Sequence, residues 1–167
     1  VHRLNTIANR FSKIGSLPTL KILDIIAVTK NAYEYLEYRS SKQISFTFES
    51  SKEKLYSNLN EELYAWVIEN LIKNAIDAML GKGQLTVAIT ADAKNIKIDI
   101  TDTGKGMAKS QFKKIFKPGF TTKKRGWGLG LSLSKRIIED YHKGKIVVKN
   151  SEINKGTTFQ IVLDKIS

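Results

Sequence analysis

Three groups of residues in this chain have types and spacings suited to chemistry. Asp102 is followed by Thr-Gly-Lys-Gly-Met107, directly after an alternating apolar run from Ile96 to Ile100. A carboxylate at a strand end can accept from the exocyclic amino group of a base, and the glycines let the backbone approach a ligand closely. The same Asp-x-Gly pattern also makes ordinary turns. Asn70 and Asn74 lie four residues apart, hence on one face of a helix, one turn above the other. Their neighbours there are Leu, Ile and Ala, so both amides need polar partners. An Asn oxygen suits Mg²⁺, which prefers oxygen donors shared with phosphates and water; contact with a loop would satisfy them equally. Finally, Gly126-Trp-Gly-Leu-Gly-Leu-Ser132 precedes an apolar-periodic run. Glycines at a helix N-terminus expose free N–H groups where the macrodipole is positive, which suits a phosphate. The spacing is not Gly-x-Gly-x-x-Gly, because Leu131 holds the last position, and no Gly-Lys is followed by Ser or Thr.

Charge reinforces the phosphate reading. Ten Lys or Arg and no Asp or Glu lie between Thr103 and Ile138, so this stretch carries +10 of the formal +12. A nucleic-acid surface usually draws its basic residues from several elements, whereas here they sit in one glycine-punctuated segment, for which a single nucleotide is a sufficient partner. Nucleic acid is therefore not the expected partner. The chain has no cysteine, which excludes disulfides, thiolate catalysis and Cys-ligated zinc. Its 167 residues fit one domain with a short appendage, and no apolar run approaches the length of a membrane span.

The elements that must position these groups follow from periodicity. Leu4, Ile7, Phe11 and Ile14 recur at helical spacing before Gly15 and Pro18, as in the cut end of a longer helix. Asp24 is placed to cap a helix from Ile25 to Arg39. Ile44, Phe46 and Phe48 alternate as a strand does, and a second short strand is expected at about Lys54 to Tyr56. The longest helix should run from Asn60 to Leu80, stopped by Gly81 and Gly83. Leu85 to Ile89 and Ile96 to Ile100 form a hairpin. Leu129 to Tyr141 reads as a helix, with His142 as a favourable charge at its C-terminal end. Ile146 to Val148 and Thr158 to Leu163 are the last strands, with Gly156 in the turn between them. The fold class is α+β: a two-layer sandwich with helices packed on one face of a mixed, mostly antiparallel sheet.

Taken in order, with Ile115-Phe-Lys-Pro-Gly-Phe-Thr-Thr-Lys123 between the last two motifs, the chain resembles the ATP-binding domain of two-component sensor histidine kinases. The N box, first glycine box, phenylalanine box and second glycine box of that family are similar to ENLIKNAIDA, DTGKGM, IFKPGFTTKK and GWGLGLS here. The similarity spans roughly Leu20 to Leu163 and takes in Gly156-Thr-Thr-Phe159. It implies a Bergerat-type fold over 18–167, with 1–17 as the end of the dimerisation and phosphoacceptor hairpin. It further implies ATP and Mg²⁺ as cofactors, with Asn74 on the metal, Asn70 near the phosphates and Asp102 on the adenine amino group. Gly104 and Gly106 would give close approach, and Gly126, Gly128 and Gly130 would hinge a lid. Phe116 and Phe120 would anchor that lid, or serve as plain core aromatics. Asp77, Met107, Thr121, Thr122, Lys123, Leu129, Leu131 and Thr158 would complete the nucleotide surroundings.

The resemblance also has departures. Many members carry a basic residue three positions after the magnesium Asn and an aromatic four after it, where this chain has Asp77 and Ala78. The phosphate contact would then pass to Lys123, Lys124 or Arg125. The related gyrase, mismatch-repair and chaperone ATPases place a water-activating Glu four residues before the magnesium Asn; here that position is Asn70, and Glu69 lies about 100° round the helix. Phosphoryl transfer to a histidine is therefore expected over hydrolysis, with an inert nucleotide-binding scaffold as a further reading. The implied partners are ATP, the parent's own dimerisation domain in a homodimer, and a response-regulator receiver. His2 lacks the acidic residue and Pro that follow the family's acceptor. The domain would be cytoplasmic, with membrane anchoring of the parent left open.

Overall fold

The structure, a computed structural model, describes residues 18–119 and 130–167; the helix read from Leu4 to Ile14 lies outside them. Two capping side chains start the long helices. In α1 (Ile25–Arg39), the Asp24 carboxylate accepts from Ile26 N at 3.1 Å and also from Leu55 N at 3.3 Å. In α2 (Glu61–Met79), the Asn60 side-chain oxygen accepts from Leu63 N at 3.0 Å, and Glu61 and Glu62 sit in the first turn. Both arrangements satisfy amides that a helix start leaves unpaired, and the acidic pair opposes the positive end of the dipole. At the other end Leu80, with φ 54°, and the expected Gly81, with φ 85°, are both left-handed, so the turn out of the helix begins one residue ahead of the glycine.

Seven strands follow in chain order: β1 (Lys21–Asp24), β2 (Ile44–Glu49), β3 (Tyr56–Leu59), β4 (Gly83–Ala91), β5 (Asn95–Asp102), β6 (Lys145–Glu152) and β7 (Gly156–Asp164). Five form one sheet in the order β2-β4-β5-β7-β6, parallel only between β2 and β4. Ile96, Ile98 and Ile100 of β5 lie buried beneath the helices with Leu85, Val87 and Ile89 of β4, whereas Lys97 is exposed on the other face. This alternation gives the expected two-layer sandwich, with its core between α2 and the sheet.

A second sheet was not expected. β1 pairs antiparallel with β3, and β3 begins where the strand expected at Lys54 to Tyr56 was to end. Each strand has four residues and only β3 shows a buried alternation, so period-two patterning has too little length to register. Among the described residues, no helix is long and apolar enough to cross a membrane.

The helix expected to run on to Tyr141 changes form. α3 (Gly130–Arg136) passes into a wide π turn at Ile137–Tyr141. The Ile137 carbonyl accepts from His142 N at 3.1 Å and lies 2.9 Å from the same residue's Nδ1. His142 Nε2 accepts from Asn60 N at 3.1 Å, so Nδ1 carries the proton and donates to Ile137. The imidazole is buried at 7% exposure and ties the end of this segment to the start of α2. It is therefore a neutral tie, not the C-terminal charge expected. Burial holds its pKa below the ordinary value, with the Ile137 carbonyl opposing more weakly. A base depressed in the folded state stabilises the fold above its unfolded pKa, and that contribution drains away as pH falls toward the folded value. Denaturant melts should therefore show stability dropping below about pH 6.5. In His142→Gln that part of the slope should vanish.

Candidate functional site

Asp102 ends β5 in phase with Ile96, Ile98 and Ile100, so its carboxylate points to the helix side of the sheet. It is 4% exposed. Oδ1 accepts from Gly104 N at 2.8 Å, and the carboxylate also receives the Thr157 N–H. Burial pushes its pKa above the usual carboxylate range, and these two amides pull it part of the way back.

The loop after Asp102 is clamped on both sides. A Cβ on Gly104 would lie 2.5 Å from the Ala78 carbonyl oxygen, and Lys105 N donates to that oxygen at 3.0 Å. Ala78, where the family often has an aromatic, is thus the point at which the loop crosses the end of α2. On the other side, Asn154 N donates to Lys105 O at 2.7 Å and Met107 N to Ser151 Oγ at 2.9 Å. Met107 itself packs against the core.

Thr157, not Thr158, shares the face of Asp102. In the β5–β7 register Asp102 pairs with Thr157 and Thr101 with Thr158. The Thr158 hydroxyl is 2.9 Å from that of Thr101, on the opposite face of the sheet. Thr157 Oγ1 meets Ser151 Oγ at 2.7 Å, which an irregularity between Val148 and Asn150 makes possible. The extra residue reverses the phase of β6, so Ser151 faces the same way as Val148. Sequence reasoning missed Thr157 and Ser151; alternation counted back from Phe159 would have found the first.

On α2, Asn70 is buried and its Nδ2 donates to Ser134 Oγ at 3.1 Å. Ser134 in turn donates to Gly130 O at 2.8 Å. This joins the N box to the helix that follows the second glycine box. Asn74, one turn on, is half-buried, and Asp77 is exposed; both engage in further interactions. Leu131 packs against the core. Phe116 is a core aromatic, edge-on to Phe159 at 6.1 Å between ring centres, with the Lys135 ammonium 5.8 Å from its own. Phe120, Thr121, Thr122, Lys123, Gly126, Gly128 and Leu129 lie outside the described residues.

These donors suit a purine nucleotide with magnesium. The Asn70 side-chain oxygen has no partner among the described residues, although its nitrogen has. Among the described residues, no cluster of three His, Cys, Asp or Glu side chains could hold a metal alone. A cation here would share amide oxygens with a phosphate ligand, as Mg²⁺ prefers. A separate cleft, lined by Leu23, Val28, Tyr35 and Glu62 among others, lies toward the opposite end of α2 and includes none of these residues.

Comparison with known proteins matches this geometry. Residues 60–166 match the family model described as histidine kinase-, DNA gyrase B-, and HSP90-like ATPase. Sporulation kinase C of Bacillus subtilis (strain 168) is 33% identical over 97% of this chain, which covers 33% of that protein. Sensor histidine kinase ZraS of Escherichia coli (strain K12) is 32% identical over 96% of the chain and 35% of its own length. The chain thus spans about a third of these relatives. The solved catalytic domain of histidine kinase ThkA superposes with a TM-score of 0.80 at 31% identity, covering 89% of this chain and 97% of that one. ThkA has also been solved in complex with the response regulator protein TrrA; that chain is 28% identical, with a TM-score of 0.81, over 99% of this chain and 48% of its own. The chain belongs to the histidine kinase-, gyrase B- and HSP90-like ATPase family, and within it to the catalytic domains of sensor histidine kinases.

Proposed function

We propose that this domain binds Mg²⁺–ATP and donates the γ-phosphoryl group to a histidine of the parent's dimerisation domain, for onward transfer to a response regulator. The observation that carries the reading is Asp102. It is a buried carboxylate at a strand end, held by two backbone amides, beside a loop clamped open by glycines. Such a group can take an exocyclic amino group, and a buried carboxylate with a raised pKa beside a glycine loop is what a binding site would keep at the cost of burial.

Asn70 and Asn74 would hold the metal side of the nucleotide, and backbone amides at the start of α3 would receive phosphate oxygens. Magnesium, when bound, would offset the charge on the phosphates during in-line transfer. The chain's own part is positioning: Asp102 orients the base and α2 presents its amides. Asn70 stands where a hydrolase of this family would need its Glu, which favours transfer over hydrolysis. Residues 1–17 would be the end of the phosphoacceptor hairpin, and the complex of ThkA with a response regulator supports a receiver domain as the final partner.

The test is phosphoryl transfer in trans. The domain, mixed with γ-labelled ATP and a separately produced dimerisation hairpin from the same parent, should label a histidine in an acid-labile, base-stable form. ATP binding without labelling, or steady phosphate release in its place, would move an inert scaffold or a hydrolase to the front.

A further inference from the structure

The bond between Asn70 and Ser134 decides more than how two helices pack. Ser134 is fully buried. A hydroxyl has one proton to give, and this one goes to Gly130 O at 2.8 Å, four residues back along α3. Only the lone pairs of Ser134 Oγ remain for Asn70, so the nitrogen end of the carboxamide must face it, at 3.1 Å. The oxygen end is left without a partner among the described residues. It lies against Gly130, where a Cβ would come within 2.8 Å of it, so glycine keeps that side clear.

We propose that Ser134 is a positioning residue of the nucleotide site: its hydroxyl fixes the Asn70 carboxamide so that its oxygen end is the one offered to a ligand. One of the two Asn70 N–H groups is committed to Ser134 and the nitrogen end is turned toward α3, so the end left for a ligand to meet is the oxygen. Its partner must be a cation or a donor, namely a divalent ion, water bound to one, or an ammonium group. Reversing the amide would set its oxygen against Ser134 Oγ, whose proton could reach it only by abandoning Gly130 O. The Asn70 N–H would then lose its buried partner as well. The same chain of bonds ties the first turn of α3 to the middle of α2, so the foot of the second glycine box and the metal-side amide are set together.

This inference rests on the nucleotide reading above, and the experiment separates the two. In the ¹⁵N-labelled domain without nucleotide, the Asn70 side-chain amide, assigned by its loss in Asn70→Asp, should exchange slowly with solvent. In Ser134→Ala and in the near-isosteric Ser134→Cys it should exchange freely. Calorimetry should then show Mg²⁺–ATP binding weakened roughly tenfold in both variants, while ATP in excess EDTA changes by no more than about twofold. Equal weakening with and without magnesium would reduce Ser134 to a packing residue and overturn the proposal. An Asn70 amide unaffected by either substitution would overturn it as well. A wild-type domain that binds ATP under neither condition would instead sink the functional reading, and the exchange measurement would still judge the orientation.

Discussion

Replacing Asp102 with Asn is expected to weaken ATP binding about a hundredfold and to invert the preference for the base. The side chain must keep its acceptor toward Gly104 N, 2.8 Å away, and toward the Thr157 N–H, because Gly104 N has no other partner among the described residues. Asn has one acceptor oxygen where Asp has two, so its NH₂ turns toward the ligand. There it meets the adenine amino group donor against donor, whereas a six-oxo purine presents an acceptor. Titration of Asp102→Asn with ATP and ITP should therefore show ITP binding the more tightly, the reverse of the wild type. If both nucleotides bind as they do to the wild type, Asp102 does not touch the base. Asp102→Ala is a blunter probe, because it strands the Gly104 and Thr157 amides and lowers stability along with affinity. Acid should mimic the loss: burial raises the Asp102 pKa, so the acceptor is protonated, and binding lost, at a higher pH than an exposed carboxylate would require.

The second large effect concerns the loop itself. Gly106 has φ 66°, and a Cβ there would lie 2.0 Å from the Glu152 carbonyl oxygen. An alanine meets both penalties at once, a left-handed backbone and a clash with main chain that no rotamer can relieve. Relief requires the β6–β7 turn to withdraw, which breaks the 2.7 Å bond from Asn154 N to Lys105 O and the 2.9 Å bond from Met107 N to Ser151 Oγ. Gly106→Ala should cost about 3 kcal/mol or more and lower the melting temperature by roughly 6–12 °C. Gly119 is the control. Its φ is 85°, but a Cβ there would meet nothing within 4 Å, so Gly119→Ala should cost only about 1–2 kcal/mol. Equal losses in the two variants would show that backbone strain alone, and not the clamp on the loop, sets the penalty.

These contrasts mark how far the residues could be read in one dimension. The phase of Ile96, Ile98 and Ile100 already places Asp102 on the buried side, and the spacing of Asn70 and Asn74 already places both on one face of a helix. Both inferences use only the period of one regular element. Thr158 shows where that method stops. Its neighbour Thr157 faces Asp102 because of the β5–β7 register, and Ser151 joins them only through the irregularity in β6. His142 shows the same limit. At a helix end it looks like a favourable charge, yet its ring nitrogens are taken by Asn60, 82 residues earlier in the chain, and by Ile137.

By itself, then, the sequence determined the family, the order of most of the elements and the faces on which Asp102, Asn70 and Asn74 lie, because each rests on local periodicity or on contiguous motifs. Tertiary structure alone decided that β1 and β3 pair, that Ala78 and Glu152 clamp the first glycine loop, and that Ser134 holds one end of Asn70. Those choices depend on contacts between residues far apart in the chain, whose partners are selected by packing and by the need to pair every buried polar group.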